Sequence, residues 1–285
     1  RVERRDDRYD DSEEVAFAPR ETLLGGRAAL EWTLDSGALL YGSLSRGYKA
    51  GGFNTDGSLD ADLREFDSEA VWNYELGVKS LNLDGTLATR VAAFVMTRAD
   101  QQVATSIVRL RGDGSAEFID FVGNAAEGTN YGAEVEFDWQ LAAPLRLSGS
   151  LGLLATRFDR FVNAAGDDLS GRDQAHAPHY QFSVAADYAR ADGWFARLEA
   201  EGRDGFYWSD SHDARARAYT LVHARAGWRG EQLEVAAWVR NLTDETWGTR
   251  GFGGFGNDPR NGYAPGEYVQ FGSPRAWGLG TRLRF

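Results

Sequence analysis

Two short stretches set carboxylates side by side. NYGAEVEFDWQ (130–140) carries Glu134, Glu136 and Asp138, and WFARLEAEGR (194–203) carries Glu199 and Glu201. Paired carboxylates do general acid and base work when their surroundings drive their pKa values apart. At i and i+2 on one wet face both members stay ionised, so the plainer reading is a charged wall. HAPH (176–179), with Asp173, has residues of metal-ligand type. The loop context fixes no geometry and no Cys is available, so no metal is assigned. DDRYDDSEE (6–14) packs six acids into nine residues. It could hold Ca²⁺ through oxygens, but a solvated acidic loop explains it as well. GFGGFG (251–256) matches G-x-G-x-x-G without a strand before it and a helix after it, so it is read as a flexible glycine loop and no cofactor is expected. No Ser/His or Cys/His nucleophile emerges, so no catalytic residue is assigned and the chain is not read as an enzyme.

Better ligand candidates lie among the aromatics. GFYWSD (205–210) groups Phe206, Tyr207 and Trp208, and the stretch that follows residue 243 holds Trp247, Arg250, Phe252, Phe255, Arg260, Tyr263 and Tyr268. Ring faces beside guanidinium groups suit a flat anionic or catecholate-like small molecule, by stacking and charge-assisted hydrogen bonds. The competing reading is that these rings pack the loops together.

Bulk properties narrow the class. The chain has 285 residues, no Cys and a net charge of −12. The acidity argues against nucleic acid, which needs basic patches. Mean hydropathy is −0.46, and no apolar run approaches the ~18 residues of a membrane helix. Barrels escape that criterion, because alternation dilutes their hydropathy.

Alternation is the dominant pattern. In 130–140, Tyr131, Ala133, Val135, Phe137 and Trp139 oppose Gly132, Glu134, Glu136, Asp138 and Gln140. Side chains of a strand point to opposite faces in turn, so the stretch is a two-faced strand. Similar stretches recur at 26–34, 72–79, 145–155, 180–188 and 194–203, and further strands are read near 38–48, 86–103, 218–229, 232–242 and 275–285. Together they predict eleven strands and a stub before Tyr9.

Connectors alternate as well. LDSG (34–37), NLDG (82–85), LAAP (141–144), RADG (190–193) and RGEQ (229–232) carry the residues of tight turns. Between them fall long connectors near 10–22, 49–69, 104–129, 158–178, 204–217 and 243–274, and these connectors, short and long, hold all six prolines. Strand interiors avoid Pro, which cannot donate to the ladder. In an up-and-down meander every short turn then sits at one end and every long loop at the other. That is the layout of an outer-membrane barrel, with periplasmic turns and extracellular loops.

A soluble sandwich would bury the same apolar faces, but it does not explain the short–long order. In a barrel Val135, Phe137 and Trp139 face lipid, while Glu134, Glu136, Asp138, Arg197, Glu199, Glu201 and Arg203 face a wet lumen. Trp32, Tyr74, Tyr131, Trp139, Tyr188, Trp194, Trp228 and Trp277 share the apolar parity near strand ends, where amphipathic rings favour headgroups. Arg46 breaks the parity rule and belongs near the outer rim or after a bulge.

Four segments then carry a resemblance. LLYGSLSRGYKAGGFN (39–54), SEAVWNYELGVKS (68–80), VRNLTDETW (239–247) and SPRAWGLGTRLRF (273–285) resemble segments of TonB-dependent outer-membrane receptors. The resemblance implies a barrel of about 22 strands with a plug in its lumen, of which residues 1–285 supply the C-terminal part, some 11–12 strands. Plug and TonB box have no counterpart here. It further implies Gram-negative outer-membrane localisation and uptake of a scarce solute, most commonly a ferric siderophore. The implied partners are membrane lipid, the plug of the same chain, the TonB complex, and the barrel-assembly machinery, which reads a final strand ending like Phe285. It also implies plug contacts for the charged lumen residues named above.

Arg1-Val2-Glu3-Arg4-Arg5 reads as the tail of a strand, so the chain is treated as a fragment. Half a barrel leaves two unpaired edges, and an open curved sheet is expected. The alternative is a self-contained barrel of twelve strands, such as an autotransporter translocator or an outer-membrane hydrolase.

Overall fold

The computed structural model describes residues 1–10, 16–110, 116–163, 166–210, 212–255, 260 and 266–285. Eleven strands form one antiparallel sheet. They are β1 (Gly26–Thr33), β2 (Leu39–Lys49), β3 (Glu69–Asn82), β4 (Leu87–Leu110), β5 (Ala116–Ala142), β6 (Leu145–Phe161), β7 (Tyr180–Ala189), β8 (Trp194–Arg203), β9 (Tyr219–Arg229), β10 (Leu233–Arg240) and β11 (Ala276–Leu283). Each pairs with its sequence neighbours, and β1 and β11 are the two ends of an open sheet. The predicted stub is Val2–Asp6. It pairs with Arg20–Leu24, which leads into β1 through Gly25.

Tight turns close one end of the sheet. At 190–193 the Gly193 amide donates to the Arg190 carbonyl. Gly193 has φ of 94°, and a Cβ there would meet the Arg229 carbonyl oxygen at 2.3 Å. Only glycine meets both demands.

The ladders put the predicted faces together. Val135 stands opposite Val91 and Leu151, and Glu136 stands opposite Arg90 and Ser150. The apolar face is open: Leu30, Leu76 and Leu279 are 83%, 70% and 77% exposed. A soluble sandwich would cover that face. The buried apolar clusters lie instead among the long connectors and the strand ends they leave. One joins Val103, Phe158 and Phe161; a second Leu59, Ile119 and Phe121; a third Phe206, Trp208, Ala214 and Ala216. The wall therefore takes lipid as its apolar partner, and the protein's own core sits in the loops.

Three sequence expectations need correction. The connector read at 104–129 is mostly strand. β4 and β5 run for 24 and 27 residues and stay paired from Gln102↔Asn124 to Leu110↔Ala116. A β-bulge between Arg98 and Gln102 shifts the register, which breaks the alternation that marks a strand in sequence. The connector read at 10–22 holds a two-residue hairpin (Tyr9–Asp10 with Ala16–Phe17) and the strand Arg20–Leu24. The glycine stretch read as a flexible loop lies mainly in the strand Gly248–Phe255, paired with Gly266–Phe271.

Arg46 keeps the apolar parity with no bulge in either ladder, opposite Gly26 and Trp72 near the loop end of β2. Its guanidinium donates to the Leu24 carbonyl and lies 5.9 Å from the Trp72 ring centroid. A rim position beside an aromatic ring makes this one charge tolerable on the outer face.

Candidate functional site

The meander brings the long connectors together at one end. The 204–218 connector folds as a small hairpin, Phe206–Tyr207 against Arg215–Ala216, closed by the Trp208 amide on the Ala214 carbonyl at 3.0 Å. Two guanidinium groups sandwich the Tyr207 ring, Arg172 at 3.9 Å and Arg215 at 4.3 Å. Arg172 also donates to the carbonyls of Ser209 (3.0 Å) and His212 (2.7 Å). It thereby ties the 158–178 connector to the 204–218 one.

Phe206 and Trp208 are buried and meet edge to face at 5.0 Å. Arg203 lies 4.6 Å from the Phe206 ring and 5.1 Å from the Tyr219 ring. Tyr219 in turn meets Trp247 at 5.0 Å. Gly251 lets the last hairpin lie on Trp208, since a Cβ there would fall 2.3 Å from the indole nitrogen. These rings cement the loops, and the ring faces of Phe206 and Trp208 are covered.

Other candidates are more open. Phe252 is exposed, with the Arg250 guanidinium 4.5 Å from its ring. Arg260 is exposed and Tyr268 half-buried on the same connector. Tyr263 and the side chain of Phe255 lie outside the described residues. Residues 11–14 of the acidic run do as well.

The histidines of HAPH separate. His176 packs on Phe206 at 5.6 Å, while His179 sits between two carboxylates, Asp173 at 3.0 Å and Asp204 at 3.6 Å. Beside them Asp210 accepts the Ala175 amide at 2.9 Å. Burial pushes the Asp210 carboxyl above its ordinary value, against smaller opposing pulls from that amide, Arg172 and His176. Burial also pushes the His212 imidazole down.

On the other face of the ladders, the carboxylate rows meet arginines. Glu136 pairs with Arg90 at 3.2 Å and Asp138 with Arg146. Arg197 bridges Asp187 (2.6 Å) and Glu199 (2.8 Å), and Glu201 lies 3.4 Å from His223. Glu134 shares this face by register. These pairs make one charged row along the inner face of the sheet.

Arg172, Arg215 and Asp210 were not singled out from the sequence, and Arg203, read there as a lumen residue, also packs beside the Phe206 and Tyr219 rings. The hairpin could have been suspected from Gly205 and Asp210, the two ends of GFYWSD. The partnership of Arg172 with Tyr207 joins residues of different connectors and has no local pattern.

The β-barrel model described as "TonB dependent receptor-like, beta-barrel" matches residues 1–242. The chain belongs to this family of TonB-dependent receptors. It is 23% identical over 264 residues to the pesticin receptor of Yersinia pestis, covering 91% of this chain and 36% of that protein. It is 26% identical over 206 residues to the metal-pseudopaline receptor CntO of Pseudomonas aeruginosa, covering 70% of this chain and 27% of that one. Its fold matches the crystal structure of the ferric yersiniabactin uptake receptor FyuA from Y. pestis with a TM-score of 0.72 at 20% identity, over 95% of this chain and 38% of that one. The chain thus spans between about a quarter and two fifths of the relatives named here. The family places it in the Gram-negative outer membrane, and these relatives are receptors rather than enzymes.

Proposed function

We propose that residues 1–285 form the C-terminal part of the barrel of a TonB-energised importer, and that its cargo is a ferric siderophore. The observation that carries this reading is the family match over residues 1–242 on a sheet with an apolar outer face and a charged inner one. The named cargoes of the relatives support the ligand class: one solved neighbour is a ferric yersiniabactin receptor and one relative a metal-pseudopaline receptor. In this reading the extracellular ligand face is the exposed part of the loop cluster, Arg250, Phe252, Arg260 and Tyr268 with the rim of Tyr207. Phe206, Trp208 and Trp247 hold that face in place from beneath. A ring beside a guanidinium offers stacking and a charge-assisted hydrogen bond to a flat anionic chelate.

The lumen wall of Glu134, Glu136, Asp138, Arg197, Glu199, Glu201 and Arg203 contacts the plug, the TonB complex supplies the drive, and Phe285 marks the strand read at assembly. The test is uptake of radiolabelled iron by cells whose only siderophore receptor is the intact protein. Accumulation that requires both TonB and the added ferric siderophore supports the reading. Accumulation without TonB, or none with any ferric chelate tried, refutes it.

A further inference from the structure

Among the described residues of β1–β4 between Gly26 and Thr97, Arg46 is the one charged residue of outward parity. A charge on that face is costly at the bilayer midplane and cheap near its edge. Arg46 stands near the loop end of β2, in the row Gly26–Arg46–Trp72. The Leu24 carbonyl and the Trp72 ring hold its guanidinium against the wall. Neither contact neutralises it, and it holds no ion pair among the described residues. Its forked N–H donors match a phosphate group, and one backbone carbonyl leaves most of them to an acceptor from outside the chain.

Below Arg46 the outward face is hollow. A largely apolar trough of about 820 Å³ lies on β1–β4. Gly42 forms its floor between Leu30 and Leu76, which stand opposite it on β1 and β3 and project from the wall. Ala28 and Ala93 extend the floor, and Tyr74 stands at its upper end, one row below Trp72. A Cβ at Gly42 would meet the Leu76 side chain at 3.0 Å, so a larger residue there fills the trough. Side chains of one face recur about every 7 Å along a strand, which puts Gly42 about 14 Å along β2 from Arg46. On a tilted strand that distance stays within the ~15 Å hydrocarbon depth of one leaflet. Completing the barrel does not cover these residues. Further strands join the sheet edge to edge beyond β1, and the outward face still meets lipid. Arg46, Gly42, Tyr74, Leu76 and Ala93 lie on β2–β4, which are already paired on both sides.

We propose that Arg46 and the trough beneath it form a lipid site for a phosphorylated, multiply acylated glycolipid of the outer leaflet. The phosphate takes the guanidinium, and one acyl chain of the same molecule runs along Gly42 between Leu30 and Leu76. The long connectors lie at the Arg46 end of the wall, which selects the outer leaflet. A guanidinium already held in place lowers the ordering cost of such binding. The site lies outside the barrel, apart from the loop cluster and the lumen, and goes beyond the cargo reading above.

The test is native mass spectrometry of the intact, purified receptor in detergent, titrated with diphosphoryl lipid A and, separately, with phosphatidylglycerol. The variants are Arg46→Gln, Arg46→Lys and Gly42→Leu, with Arg90→Gln on the inner face as control. Heat-modifiable mobility on a gel reports the folded barrel for each. Wild type should retain lipid A in preference to phosphatidylglycerol. Arg46→Gln and Gly42→Leu should each weaken that retention by about tenfold, Arg46→Lys by less because it keeps the charge, and Arg90→Gln not at all. Equal retention by wild type, Arg46→Gln and Gly42→Leu overturns the proposal. So does equal affinity for the two lipids, or no retention of lipid A by wild type, either of which would leave the trough to bulk lipid. Loss of TonB-dependent iron uptake with lipid retention intact would count against the importer reading alone, and the reverse would count against this site alone.

Discussion

Val135 and Glu136 are neighbours in sequence and opposite in environment, which makes them a sharp test of the wall. Val135 lies midway between Tyr131 and Trp139, two aromatics of the same parity. It stands opposite Val91 and Leu151. If those rings mark the headgroup levels, Val135 is near the bilayer midplane. Val135→Arg then places a guanidinium in hydrocarbon, at a cost of about 2–4 kcal/mol. Glu136→Arg loses the 3.2 Å pair with Arg90, whose side chains are 59% and 56% exposed. A pair that open contributes about 0–1 kcal/mol, with a similar penalty for facing Arg90. The first variant should therefore lower folding stability by about 2 kcal/mol more than the second, roughly a thirtyfold difference in equilibrium constant. Urea titration of the intact receptor refolding into lipid vesicles would measure it. Equal losses, or a greater loss for Glu136→Arg, would refute the facial assignment and with it the barrel.

Other expectations follow from the loops and turns. Asp210→Ala orphans the Ala175 amide and should cost about 1–3 kcal/mol locally, seen as faster hydrogen exchange at Ala175; Asp210→Asn keeps an acceptor and should not. Because burial raises the Asp210 carboxyl above 3.8, its stabilising contribution is full below that value and is lost as pH rises through the raised one. Loop protection should fall over that rise in wild type and stay flat in Asp210→Asn. Gly193→Ala forces a Cβ against the Arg229 carbonyl at positive φ and should destabilise the β7–β8 turn by about 1–3 kcal/mol, read as a lower urea midpoint. Removal of Phe285 should slow assembly, read as accumulation of the heat-unmodified form in a pulse-chase, while leaving the mature barrel's urea midpoint unchanged.

The sequence determined the wall. A strand puts every second residue on one face, so the alternation around Val135 or Leu198 states which side meets lipid before any partner is known. Pro and Gly marked the turns because their constraints are local. Sequence order also placed all long connectors at one end, since a meander alternates direction. Local pattern failed where the chain departs from period two. The bulge at Arg98–Gln102 concealed the length of β4 and β5. The glycines of 251–255 concealed a strand whose stability comes from pairing and from Trp208 lying against it.

Only the tertiary structure decided the site. Arg172 reaches Tyr207 from 35 positions away, and Gly251 lies on Trp208 only because the last hairpin folds back over the 204–218 connector. Which loop aromatics are buried and which remain open depends on contacts between connectors, and those leave no period in the sequence. A barrel wall can be read locally because its environment repeats every two residues, whereas a binding face is assembled once, from segments the sequence keeps apart.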